Sequence, residues 1–169
     1  MRSYMLTIST AVIALTTTAI ASDLPKEGKV NGTFSSVGTF KAMAVGKIFT
    51  AGIFDENGIG LGTPPLDHVT YRCIGVYTNL NGVAKAEGRC VNTDPSGDQF
   101  FGEFTVDLDS NNNGKGKNVY LGGTGKFEGM GGGHNYVLHG GDFKVSPELT
   151  AASTYVQQGI FEGEYKLNK

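Results

Sequence analysis

The sequence predicts an all-β fold of about eight strands, and three observations carry that expectation. Beyond residue 21, apolar and polar residues alternate with a period of two in one segment after another, and no segment there shows a convincing helical period. Turn-forming residues punctuate these segments at the spacing of a β-sandwich or barrel. Glycine is the third observation: all 26 glycines lie beyond residue 21, a usage well above the roughly 7% of average proteins. They follow no Gly-X-Y period, and aromatic and β-branched residues are interspersed with them, so neither a collagen-like nor a disordered composition fits. Glycine inside a strand marks bulges, tight bends and close backbone approach. A sheet curved strongly enough to close into a barrel needs all three.

The chain opens with one basic residue, Arg2, before the apolar, hydroxyl-rich run MLTISTAVIALTTTAIA. That run ends in Ala19-Ile20-Ala21, the small-x-small pattern of signal-peptide cleavage. Residues 1–21 are therefore expected to be a signal peptide, and residues 22–169 a single β-barrel domain, exported to a periplasm or secreted. The alternative is a transmembrane anchor, but threonines interrupt the run, which falls short of the ~20 mostly apolar residues of a spanning helix. No transmembrane anchor is thus expected after cleavage. Beyond residue 21 the chain carries 13 basic and 16 acidic residues, a formal charge of −3. It has no basic patch of the kind that nucleic acid or anionic lipid requires, so a nucleic-acid partner is not expected.

In chain order the first two strands are expected at Lys29 to Val37 and Thr39 to Phe54, closed by a turn at Asp55-Glu56-Asn57-Gly58. His68 to Asn79 and Val83 to Thr93 form a pair, followed by Gln99 to Asp109, Lys117 to Leu121, Met130 to Val145 and Ser153 to Leu167. The last is the clearest: Phe161, Tyr165 and Leu167 share one face, and Glu162, Glu164 and Lys166 the other.

The third and fourth strands meet at Asn81-Gly82, the favoured pair for a type I′ hairpin turn. With a two-residue turn there, facing positions add to 163, which sets Cys73 opposite Cys90. Counting outward from Leu80 and Val83, the two cysteines form a non-hydrogen-bonded pair with Cα atoms ~4.5 Å apart, at the low end of disulfide geometry. In an exported chain such a pair is expected to be a disulfide. Free thiols or a metal pair are the alternatives, and no further metal ligand is close in sequence. A bulge at Gly75 or Gly88 would shift this register. The same register puts Tyr71, Cys73, Gly75 and Tyr77 with Ala84, Ala86, Gly88 and Cys90 on the expected interior face. Arg72, Thr78, Lys85, Glu87 and Arg89, with Ile74 and Val76, fall on the exterior.

Candidate chemistry is sparse. Asp109-x-Asn111-x-Asn113-Gly114 matches the first half of a calcium loop, but position twelve is Tyr120 where a bidentate Glu belongs, and Lys115 and Lys117 add positive charge. A solvated hairpin loop is the expectation. His134 and His139 are five apart and point to opposite faces of one strand, so they share no zinc site through that strand. No metal and no cofactor are expected. Glu103, between Phe101 and Phe104, is a candidate acid or base if it faces the lumen, where burial would raise its pKa. Tyr71, Tyr77, His134 and Tyr136 are the other lumen candidates; no nucleophile–base pair is recognisable, and catalytic residues stay unassigned. Gly123-Thr124-Gly125-Lys126-Phe127 ends where a phosphate loop needs Ser or Thr after its Lys, and no helix follows. Asn31-Gly32-Thr33 is a glycosylation sequon.

The segment GGTGKFEGMGGG, from Gly122 to Gly133, is preceded by Val119-Tyr120-Leu121 and followed by HNYVL. It resembles the late segment of the allene oxide cyclase and dirigent-protein superfamily, which carries Gly-Gly-Thr/Ser-Gly-x-Phe-x-Gly between its last long strands. Cys73 and Cys90-x-x-x-Asp94 with Asp98 also resemble exported bacterial members of that group. The resemblance implies an eight-stranded antiparallel β-barrel, calycin-like in shape, and makes a homo-oligomer an expectation, since members are commonly trimers. Allene oxide cyclases isomerise a fatty-acid epoxide and dirigent proteins steer phenoxy-radical coupling; the catalytic residues of neither map onto this chain. Phe127 is expected to plug one barrel end. The functional expectation is an exported barrel binding a small, largely apolar molecule in its lumen. The alternatives are an isomerase or cyclase of the allene oxide cyclase type, and a structural or interaction protein with a filled barrel.

Overall fold

The computed structural model describes residues 24–45, 48–140 and 153–168. The signal-peptide expectation and the end of the Met130 to Val145 segment lie outside these residues. Eight antiparallel strands form a closed barrel in sequence order: β1 Glu27–Val45, β2 Phe49–Gly62, β3 Val69–Leu80, β4 Val83–Thr93, β5 Gln99–Leu108, β6 Gly114–Gly123, β7 Met130–Gly140 and β8 Ser153–Leu167. β1 pairs with both β2 and β8, which leaves no free sheet edge. Among the described residues no helix is long and apolar enough to cross a membrane.

The first hairpin differs from its sequence reading. β1 runs unbroken through Gly38 to Val45, which pairs with Phe49 at the start of β2, and Asp55 to Gly58 lie within β2, paired with Thr39 to Ser36. Asp-Glu-Asn-Gly has the composition of a turn, but here period-two alternation governs. Asp55 faces out to bind Arg72 (Nη2 to Oδ2 2.6 Å), while Glu56 faces in and is 6% exposed.

Most inward glycines have a packing role. The Tyr155 ring lies on Gly38, Tyr71 on Gly58, Phe54 on Gly75, Tyr136 on Gly116 and Phe34 on Gly159, each so closely that an added Cβ would overlap the ring. An eight-stranded barrel has an interior just wide enough for side chains to fill. Setting each large ring against a bare backbone on another strand lets many rings share that space. The only register shift among the ladders described lies at Phe101/Gly102 opposite β6, and Gly75 and Gly88 pair without a bulge.

Cys73 accordingly faces Cys90, with Cα atoms 4.1 Å apart and the sulfurs at bonding distance. The turn residues Asn81 (φ 54°) and Gly82 (φ 84°) are both left-handed, as a type I′ turn requires. Replacing both cysteines by Ser should lower stability by about 2 kcal/mol. This is the low end of the usual range, because the Asn-Gly turn already favours the hairpin in the unfolded chain. Urea titration of the double variant checks the size. Two alkylatable thiols in the non-reduced wild type would refute the bond.

One barrel end gathers the β2–β3, β4–β5 and β6–β7 connections and is sealed by Val30, Leu66, Val69, Phe100, Tyr120 and Phe127, among others. Phe127 is 0% exposed and plugs this end as the sequence predicts. It sits on a single 3₁₀ turn, Gly125–Phe127, which the β4–β5 loop holds. Lys126 Nζ binds Asp94, Lys126 N donates to Asp98 Oδ2 (3.2 Å), and Gln99 N donates to Thr124 Oγ1 (2.9 Å). Burial acts to raise the Asp94 pKa, but hydrogen bonds from Lys126 and Ser96 outweigh it and hold the carboxyl below its usual value. Gly125, at φ +52° and against the Asp98 carboxylate, has room for no side chain. The motif's glycines and Lys thus serve to latch a hydrophobic plug.

Candidate functional site

A cavity of about 150 Å³ occupies the lumen between the two ends. Its wall is largely aromatic, with Phe40, Phe54, Tyr71, Tyr77, Phe104 and Tyr155 among the lining residues. The disulfide also contributes to this wall.

The polar focus of the lumen is Glu56, which the sequence reading assigns to a turn. β2 delivers it inward at mid-barrel, between Gly38 of β1 and Cys73 of β3. Three donors converge on Oε2: Gln157 Nε2 at 2.6 Å, the Tyr155 hydroxyl at 3.0 Å and Ser36 Oγ at 3.4 Å. Among the described residues, no donor binds Oε1. Burial pushes the carboxyl up to about 7, although the Tyr155 and Ser36 hydrogen bonds act to lower it. Glu56 therefore changes protonation near neutral pH. The surrounding tyrosines do not titrate in that range. Tyr71, Tyr136 and Tyr155 are all shifted well above the usual phenol value, by burial first and then by the Glu56 charge.

A second polar point lies on β6 and β7. His134 Nδ1 is 2.8 Å from the Tyr120 hydroxyl, and its ring contacts Phe161 with centroids 5.1 Å apart. Burial lowers its pKa to about 4, so the imidazole is neutral at neutral pH. Next to it on the wall, Asn118 lies over Gly102, and its Oδ1 is buried with no hydrogen-bond partner among the described residues.

Of the sequence-predicted lumen residues, Tyr71, Tyr77, His134 and Tyr136 all line the cavity. Glu103 does not. Phe100, Gly102, Phe104 and Val106 take the inward positions of β5, so Glu103 alternates outward, where its carboxylate meets Arg89 Nη2 at 2.9 Å and is 43% exposed. Glu56 takes the place that the sequence reading considers for Glu103. Tyr155, Gln157, Ser36 and Asn118 are also absent from the sequence-level candidates. The signal that could have found Glu56 and Tyr155 is strand parity: Phe54, Glu56, Gly58 and Gly60 continue one face, and Tyr155, Gln157, Gly159 and Phe161 another. His68 lies outside this site, exposed beside Asp67. The Asp109 loop is a hairpin connection in which Asp109 Oδ1 accepts the amides of Asn111 (2.8 Å) and Asn113 (3.0 Å).

No family model matches the chain, and no curated protein or solved structure matches it significantly.

Proposed function

We propose that this chain is an exported barrel that binds a small, largely apolar molecule in its lumen. The observation that carries the reading is the cavity: about 150 Å³ remains between the rings after one barrel end has been sealed by Phe127 and its neighbours. A barrel with a filling role has no need of that space. An apolar cavity of this size accommodates a molecule on the scale of benzene. The Cys73–Cys90 bond and the Ala19-Ile20-Ala21 pattern support export, since disulfides persist in oxidising compartments. Eight strands and the Gly122 to Gly133 connection support a place in the allene oxide cyclase and dirigent-like group, with the homo-oligomer common there. Xenon under pressure and toluene, followed by ¹³C NMR of the Phe and Tyr rings, test the reading. Shifts are expected at Phe54, Tyr71 and Phe104; no shift at those rings with either probe would overturn it.

One observation favours an isomerase reading as the second. Glu56 titrates near neutral pH beside the cavity, as a general acid or base needs to. On that reading Glu56 moves the proton and the Tyr155 hydroxyl, hydrogen-bonded to it, holds its orientation.

A further inference from the structure

We propose that the lumen ligand is a small apolar amine, bound as its ammonium ion with one N–H donated to Glu56 Oε1. This rests on the lumen-binding reading above and names its ligand class. Three features of the wall carry it. First, the protein's own donors to Glu56, from Ser36, Tyr155 and Gln157, all end on Oε2. The remaining acceptor capacity of the carboxylate is on Oε1, and a carboxylate that is half satisfied inside a protein gains from a further donor. Second, no Lys or Arg is among the described lining residues. A ligand carboxylate or phosphate would meet the Glu56 charge with no cation to offset it, which disfavours anionic ligands. Third, Phe40, Phe54, Tyr71, Tyr77 and Tyr155 line the same cavity. Aromatic faces with one carboxylate are the combination that recognises ammonium groups.

The groups facing Glu56 are compatible with this charge pairing. Ser36 on β1 and Gln157 on β8 are neutral. Tyr71 on β3, Tyr136 on β7 and Tyr155 on β8 are held protonated by burial and by the Glu56 charge itself. His134, also on the wall, is neutral above about pH 4. No described positive charge competes with the ligand for the carboxylate.

The test compares probes of one shape. Toluene, benzylamine and benzaldehyde are titrated into the full-length exported protein by calorimetry at pH 6.5, in two buffers of different ionisation enthalpy, and into the E56Q variant. Benzylamine is expected to bind at least tenfold more tightly than toluene, with net proton release because the ammonium favours ionised Glu56. E56Q should lose that tenfold and keep toluene binding. Equal affinity for toluene and benzylamine overturns the amine assignment and leaves lumen binding intact. Tighter benzaldehyde binding with proton uptake overturns it in favour of a carbonyl ligand held by protonated Glu56. Failure of all three probes removes the lumen reading with it. If E56Q does not fold, the sign of the proton exchange in the wild type decides.

Discussion

Truncating Phe127 to Ala should destabilise the barrel by about 3–5 kcal/mol, the range for deleting a fully buried aromatic side chain. Phe127 is 0% exposed and packs at a tilt against Phe100, with ring centroids 5.1 Å apart and an interplanar angle of 55°, which adds to the area it buries. Its neighbours cannot readily collapse into the space. Tyr120 is tied to His134, and the 3₁₀ turn that carries residue 127 is fixed by Asp94, Asp98 and Gln99. Urea denaturation at pH 7 should show a lower midpoint at an unchanged slope, the signature of lost stability without a changed unfolded state. A loss under about 1 kcal/mol would mean that this barrel end is closed mainly by Leu66 and Phe100, and that the GGTGKF turn is a connection only.

The parts of this barrel that the sequence discloses are those set by local rules. Asn81-Gly82 fixes a two-residue turn, the turn fixes the register, and the register alone pairs Cys73 with Cys90 and sorts the faces of β3 and β4. Phe161, Tyr165 and Leu167 are legible for the same reason, because alternation is strict around them. Glu56 is masked by composition: Asp, Glu, Asn and Gly are turn residues, and that composition outweighs the strand parity that sets Glu56 on the face of Phe54 until β2 is paired with β1 and β3. Glu103 is the mirror case. Its apolar neighbours suggest a lumen position, yet which face of β5 points inward depends on pairing with β4 and β6. The glycines are read as bends because their real partners, rings on other strands, are distant in sequence; Gly38 and Tyr155 are an example. The Asp94–Lys126 contact also joins residues far apart in the chain, so the motif reads as a turn while its latch does not read at all.

Glu56→Gln should change stability in a pH-dependent way, with a swing of roughly 3 kcal/mol across the range from pH 4 to 8. The folded carboxyl titrates at about 7 against 4.5 for an unperturbed Glu. Between those values the folded protein holds a proton that the unfolded chain has released, so this contribution is full below pH 4.5 and falls away as pH rises to 7. His134 acts in the opposite sense. Its folded pKa of about 4, against 6.5 unperturbed, makes stability rise with pH between those values. The two slopes largely cancel in the wild type, whose stability should be nearly flat from pH 4.5 to 6.5. E56Q removes one of them. The variant should be close to the wild type near pH 4.5, where Gln keeps the shape of a protonated Glu, and should exceed it by up to about 3 kcal/mol at pH 8, where the wild type holds a buried charge. Its own stability should rise steadily from pH 4 to 6.5, exposing the His134 contribution. Asp55, Asp94 and Asp109, all held below their usual values, lose their contributions only as pH falls below about 4, outside this window. Chemical denaturation of both proteins at half-unit pH steps measures the difference. A constant gap between the two curves would place the Glu56 carboxyl at its ordinary pKa. It would also remove the acid–base reading of the lumen, because that reading needs a group that exchanges its proton near neutral pH. The ammonium assignment would then rest on the affinity comparison alone, because a carboxyl already ionised at pH 6.5 releases no proton when the amine binds.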